Sequence, residues 1–152
     1  MLISGGFLVT SADFKLLGDT VTAKINGLLA RAGGDDLRPS ASSNVVVTIG
    51  NLTETLNFTT TPTFKTTGKA PSQKFSFKSK GGTNIKTLSW INKQGNFSIT
   101  TYAMPNASVG IDPQKGRQPI NLTFKVTPDN NLQFIGTTSF DIIKVSDTEF
   151  KH

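Results

Sequence analysis

Asp35, Asp36 and Asp112 stand beside glycine in two short loops, GDD and GID, at matching distances along the chain. Two carboxylates on facing walls of a cleft would suit glycoside hydrolysis. Carboxylates joined by loop oxygens would suit calcium, and Asp129, followed by Asn130 and Asn131, offers a further loop of that kind. None of these loops has the spacing of an EF-hand or a repeat-in-toxin site. Acids that cap their own turns account for all four positions more simply. Asp35, Asp36, Asp112 and Asp129 therefore remain weak calcium candidates, and no metal, cofactor or catalytic residue is assigned. The one histidine, His152, is the last residue and reads as a tag remnant, so a histidine-based triad has no obvious base. With no cysteine there is no thiol nucleophile, Cys-based zinc site or disulfide framework. Gly5-Gly6, Gly33-Gly34 and Gly81-Gly82 match no phosphate-binding pattern and read as turns.

The lysines form a second group. Between Thr55 and Ile111 there is no acidic residue, while Lys65, Lys69, Lys74, Lys78, Lys80, Lys86 and Lys93 all fall there. Cations interleaved with Phe75, Phe77, Trp90 and Phe97 are what a single-strand nucleic-acid groove would use. In KFSFKSK, however, the phenylalanines occupy one face and Lys74, Lys78 and Lys80 the other, which is the pattern of a half-buried strand. Arginine, the preferred phosphate fork, occurs only at 31, 38 and 117. Nucleic acid is thus disfavoured, and an acidic glycan or other polyanion fits Lys74, Lys78, Lys80, Lys86 and Lys93 better. Trp90 and Tyr102 are the only rings of the kind that stack sugars. If both were exposed on one face they would form a small carbohydrate platform. Trp90 alternates with Leu88 on one face in LSWINKQ, and a lone Trp in a β-domain is more often core.

These residues must be held by strands. Charged residues make up 17% of the chain and hydrophobic ones 36%, so solubility rests on Thr, Ser, Asn and Gly, residues of strands and turns. TVTAKI, NFSITTY and INLTFKV alternate apolar and polar residues with period two, giving each strand one buried and one wet face. KFSFKSK, GGTN and IKTLSWI read as a hairpin. Gly50-Asn51, Gly95-Asn96 and Pro128 to Asn131 are turn signals. Long connections follow at Gly27 to Ser43 and Ala103 to Pro119, the first with a short helical turn expected over Leu28 to Ala32.

The chain also matches itself. LNFTTTPTF and LQFIGTTSF both read L-x-F-x-x-T-x-x-F, 76 residues apart (132 − 56). The same shift carries Val21, Ala23 and Ile25 onto Phe97, Ile99 and Thr101, and Gly34 and Asp36 onto Gly110 and Asp112. With a one-residue slip, Val45, Val47 and Ile49 fall on Leu122, Phe124 and Val126. One shift serving separate regions favours an internal duplication. The expected fold is all-β: a single domain over 1–152, an antiparallel sandwich or barrel made from related halves, 1–70 and 71–152. Pro62 and Gly136 are expected to mark a bend or a sheet edge.

FSFKSKGGTNIKTLSWINKQGNFSI resembles tandem β-repeat segments of large secreted or surface proteins of bacteria. The resemblance rests on a Phe-bearing strand, a Gly-rich turn, I-K-x-L before the next strand, and G-x-F-S-I. It covers about half the chain and implies location and architecture, not chemistry. MLISGGFLVTSADF lacks the basic and long apolar regions of a signal peptide, and the chain is expected to be cut from a longer protein. No stretch has the length of an apolar membrane helix. The sequons at Asn51, Asn57, Asn96, Asn106 and Asn121 are expected from composition. The expected function is a non-catalytic extracellular or cell-envelope module, a spacer or adhesive unit beside other domains of its parent. The alternative is a ligand-binding module for acidic glycan or another polyanion.

Overall fold

In the computed structural model, residues 2–30, 44–57, 64–69, 73–79, 84–91, 95–127 and 133–152 are described. Their strands are β1 (Leu2–Leu17), β2 (Thr20–Ala30), β3 (Asn44–Ile49), β4 (Leu52–Asn57), β5 (Phe64–Thr67), β6 (Lys74–Lys78), β7 (Ile85–Ile91), β8 (Asn96–Thr101), β9 (Met104–Pro105), β10 (Arg117–Thr127), β11 (Gln133–Ser146) and β12 (Glu149–Lys151), with one short helix, α1 (Asn106–Val109). The all-β expectation holds.

The strands form one sheet in the order β4-β3-β10-β11-β12-β1-β2-β8-β7-β6-β5, with β9 paired to β2. Pairing is antiparallel except where Leu2 to Gly5 of β1 run parallel to Gln133 to Gly136 of β11. The described strands bear out the barrel form of the expected fold in part, as an antiparallel sheet whose ends are β4 and β5. A single sheet curls into a half-barrel, and strands of residues 1–70 and 71–152 alternate within it in blocks.

Curling follows from the twist of long strands and from the hydrocarbon on one face. Val21, Ala23 and Ile25 of β2, Phe75 and Phe77 of β6, Leu88 and Trp90 of β7, and Leu122 and Phe124 of β10 are all buried. Trp90 is fully buried, its ring 5.4 Å from Phe75 and 5.2 Å from Phe124. β7 and β10 lie far apart in strand order, so the Trp90–Phe124 contact exists only because the inner face closes on itself.

Polar ties hold that closure. Glu54 on the edge strand β4 reaches the start of β7. Its carboxylate accepts the Asn84 N–H at 2.8 Å, the Asn84 Nδ2 at 3.2 Å and the Ile85 N–H at 3.0 Å. The β3–β4 turn is pinned as well: Gly50 N–H donates to the Asn121 carbonyl and Asn51 N–H to the Val109 carbonyl of α1. Gly50 is required there. Its φ is +60°, and a Cβ would stand 2.0 Å from the Val109 carbonyl oxygen.

Several local expectations are corrected. Leu28 to Ala30 continue β2 rather than turning into a helix, because β2 is paired through Leu28 on both sides, to β1 and β8. Arg31 and Ala32 lie outside the described residues, and among the described ones the helix is α1, in the second connection. Gly5-Gly6 is not a turn: β1 runs through it, paired with β11 and then with β2. β11 also runs unbroken through Gly136, and its irregularity lies between Lys144 and Ser146. LQFIGTTSF is interior strand from Gln133 onward. In LNFTTTPTF, β4 ends at Asn57 and β5 begins at Phe64, and Pro62 lies outside the described residues.

Candidate functional site

The outer face of β1, β2, β8 and β7 carries Lys15, Lys24 and Lys86. In antiparallel pairs, residues directly opposite each other share a face. Asp13 on β1 opposes Lys24 on β2, Lys24 opposes Thr100 on β8, Thr100 opposes Thr87 on β7, and Thr87 opposes Lys78 on β6. Lys15 opposes Thr22 in the next row. Each stands at an outward position of a strand whose alternate residues are core, so the hydrophobic pattern itself fixes the lysines on this face.

A shallow trough of about 280 Å³ runs across these rows. Lys15, Lys24 and Lys86 line it, with Thr22, Thr100 and Thr101, and Asp13 at its side. Lys86 is brought in by an irregularity of β7: pairing with β8 shifts between Ile85 and Thr87, leaving Lys86 as the extra residue. A bulge of this kind re-aims a side chain. The Lys86 ammonium lies 5.7 Å from the centre of the Tyr102 ring, which is half-buried. The Lys86 carbonyl accepts the Ser79 N–H, and the Tyr102 N–H donates to the Asn84 carbonyl, so both residues are tied at the backbone. The floor is tied too: Ala23 N–H donates to Thr101 Oγ1 at 2.8 Å, and the Thr87 and Thr100 hydroxyls hydrogen-bond each other. Chemically, three lysines and several threonines line a trough open to solvent. Such an arrangement binds anions through charge and hydrogen bonds.

The sequence candidates are partly gathered here. Lys86 lines this trough, Lys78 lies in its register two strands beyond Thr100, and Lys74 lines a neighbouring trough on the same face. Lys80 and Lys93 lie outside the described residues. Trp90 is corrected as a stacking ring: it is fully buried among Phe75 and Phe124 and offers no platform with Tyr102. Asp112 caps its own turn, its Oδ1 accepting the Gln114 N–H at 2.9 Å, while its N–H donates to Gln118 Oε1 at 2.8 Å. Asp35, Asp36 and Asp129 lie outside the described residues, and no cluster of three potential metal ligands occurs among the described ones.

Lys15 and Lys24 were missed by sequence. They sit in ADFKLL and TVTAKI near Asp13 and Asp19, outside the acid-free interval. Their signal was the alternation, which put both outward. His152 is held by contacts with β1 and β11. Its N–H donates to the Ala12 carbonyl, its Nδ1 lies 2.8 Å from the Asp141 carbonyl oxygen, and its ring packs edge-on against Phe140 at 5.2 Å. No helix of the described residues is long and apolar enough to cross a membrane. No family model, curated protein or solved structure matches this chain at a significant level.

Proposed function

We propose that the chain is a non-catalytic β module of a larger extracellular or cell-envelope protein, working as an adhesive unit that holds an acidic glycan or similar surface polyanion. The observation that carries this reading is the convergence of Lys15, Lys24 and Lys86, from three different strands, on one trough floored by threonines. The wider face supports it. Lys65, Lys74 and Lys78 point outward on the same side, where Lys151 is paired to Glu149 at 3.3 Å and Asp13 is the other acid. The opposite flank is more balanced, with Arg117 paired to Asp141 and Lys144 to Asp147. Nucleic acid fits less well, because Trp90, Phe75, Phe77 and Phe97 are buried and leave no ring platform for bases.

Retention on a heparin column across a salt series tests the reading. The intact chain elutes well above physiological salt. Lys24→Glu with Lys86→Glu elutes much earlier. Lys115→Glu, an exposed position away from the trough, changes the net charge in the same sense with little effect. Equal losses from both sets, or flow-through of the intact chain, would leave only a structural spacer.

A further inference from the structure

A second trough of about 450 Å³ lies beside the basic one, across the outer face of β1, β2, β8 and β7. Its character is different. Thr10, Asn26, Ser89, Asn96 and Ser98 bring hydroxyls and amides, Leu28 and Ile91 add apolar walls, and Lys74 is its one lysine.

The 76-residue offset relates the two. It carries Asp13, Lys15 and Thr22 of the basic trough onto Ser89, Ile91 and Ser98 of the neutral one, and Lys86 back onto Thr10 (13 + 76, 15 + 76, 22 + 76, 86 − 76). Between the troughs, Lys24 pairs directly with Thr100, its own counterpart (24 + 76). A residue facing its counterpart in an antiparallel pair is the mark of a local twofold axis. Elsewhere in the sheet Val47 pairs with Phe124, its counterpart after the one-residue slip. A twofold axis through the half-barrel would emerge at both pairs.

We propose that the neutral trough is a second subsite, the twofold mate of the basic one, and that it takes the uncharged, hydroxyl-bearing part of the same extended acidic glycan. This rests on the basic trough holding the glycan's anionic groups. The chemistry of the lining decides the class of ligand. Hydroxyls and amides both donate and accept, as sugar hydroxyls do, and Leu28 and Ile91 offer hydrocarbon to a sugar's C–H face. A phosphodiester backbone would place charge at every step, where this trough has Lys74 alone. From Thr22 to Leu28 the two troughs extend roughly 20 Å along β2, at about 3.3 Å per residue. A ligand must be an oligomer to fill both.

Hyaluronan oligosaccharides, with one carboxylate per disaccharide, are the probe. The decasaccharide is expected to bind the intact chain about tenfold more tightly than the tetrasaccharide, the gain of joining two subsites. Ser89→Ile with Ser98→Ile fills the neutral trough at strand-compatible positions and should erase that gain while leaving tetrasaccharide affinity unchanged. Asn96→Ala, at an exposed position, serves as a milder second variant and should weaken only the decasaccharide. A length gain that survives these substitutions overturns the second subsite. So does retention on heparin without hyaluronan binding, which leaves the basic trough standing. Unchanged tetrasaccharide affinity in Lys24→Glu with Lys86→Glu would overturn the underlying functional reading instead. Oligothymidylate binding that falls with the Ser89 and Ser98 changes would refute the choice of a glycan over nucleic acid.

Discussion

Removing the Glu54 carboxylate tests how the half-barrel is held closed. Glu54 lies on an edge strand, yet its two oxygens accept three hydrogen bonds from Asn84 and Ile85 across the curl. A hydrogen bond to a charged group contributes about 1.5–3 kcal/mol when buried. Glu54 is only half-buried, so water replaces part of each lost bond. Glu54→Ala is therefore expected to cost about 3 kcal/mol in total. For a domain of this size that corresponds to roughly a 10 °C fall in Tm. Glu54→Gln keeps one acceptor but turns an NH₂ toward donors, and should cost about 2 kcal/mol. Urea unfolding followed by circular dichroism measures both. Pairing Glu54→Ala with Asn84→Ala should give a coupling of about 1 kcal/mol, because the Asn84 side chain supplies one of the three bonds. A loss below about 0.5 kcal/mol for Glu54→Ala, within the ordinary range for surface substitutions, would refute the clamp.

Three further outcomes follow from the packing. Trp90 is the only tryptophan and fully buried, so its emission should be blue-shifted, resistant to iodide and unmoved by heparin; quenching by either would place the ring at the surface. Trp90→Ala should cost about 3–5 kcal/mol in a urea titration, with Trp90→Phe costing less. Gly18 and Gly50 have nearly the same positive φ, +59° and +60°, but Gly18 has open space where Gly50 meets the Val109 carbonyl. Gly18→Ala should cost about 1 kcal/mol and Gly50→Ala clearly more; equal costs measured by thermal unfolding would mean that α1 does not constrain the β3–β4 turn.

Much of the fold was legible because burial imposes period two. Phe75 and Phe77 inward with Lys74 and Lys78 outward were readable directly from the alternation, which left Trp90 open between core and a stacking platform. What was not legible depended on pairing between distant segments. Leu28 to Ala30 have good intrinsic helix propensity, which partners on both sides of β2 override. Gly5-Gly6 looked like punctuation because its partners, including Gly136 far along the chain, are invisible locally. The candidate site was half legible for the same reason. Lysine excess pointed to Lys86, but Lys15 and Lys24 join it only through the β1–β2–β8–β7 register and the irregularity at Lys86. The acid-free interval was a property of the sequence line, whereas the trough is a property of four adjacent strands.

The most direct test of the polyanion-binding account is the salt dependence of affinity for a heparin oligosaccharide, compared between the intact chain and Lys15→Glu, Lys24→Glu and Lys86→Glu made singly. The account predicts a steep linear fall of log affinity with log salt for the intact chain, with each substitution lowering the slope by about one. Slopes that stay the same in all three variants, or that change as much for Lys115→Glu, would contradict it.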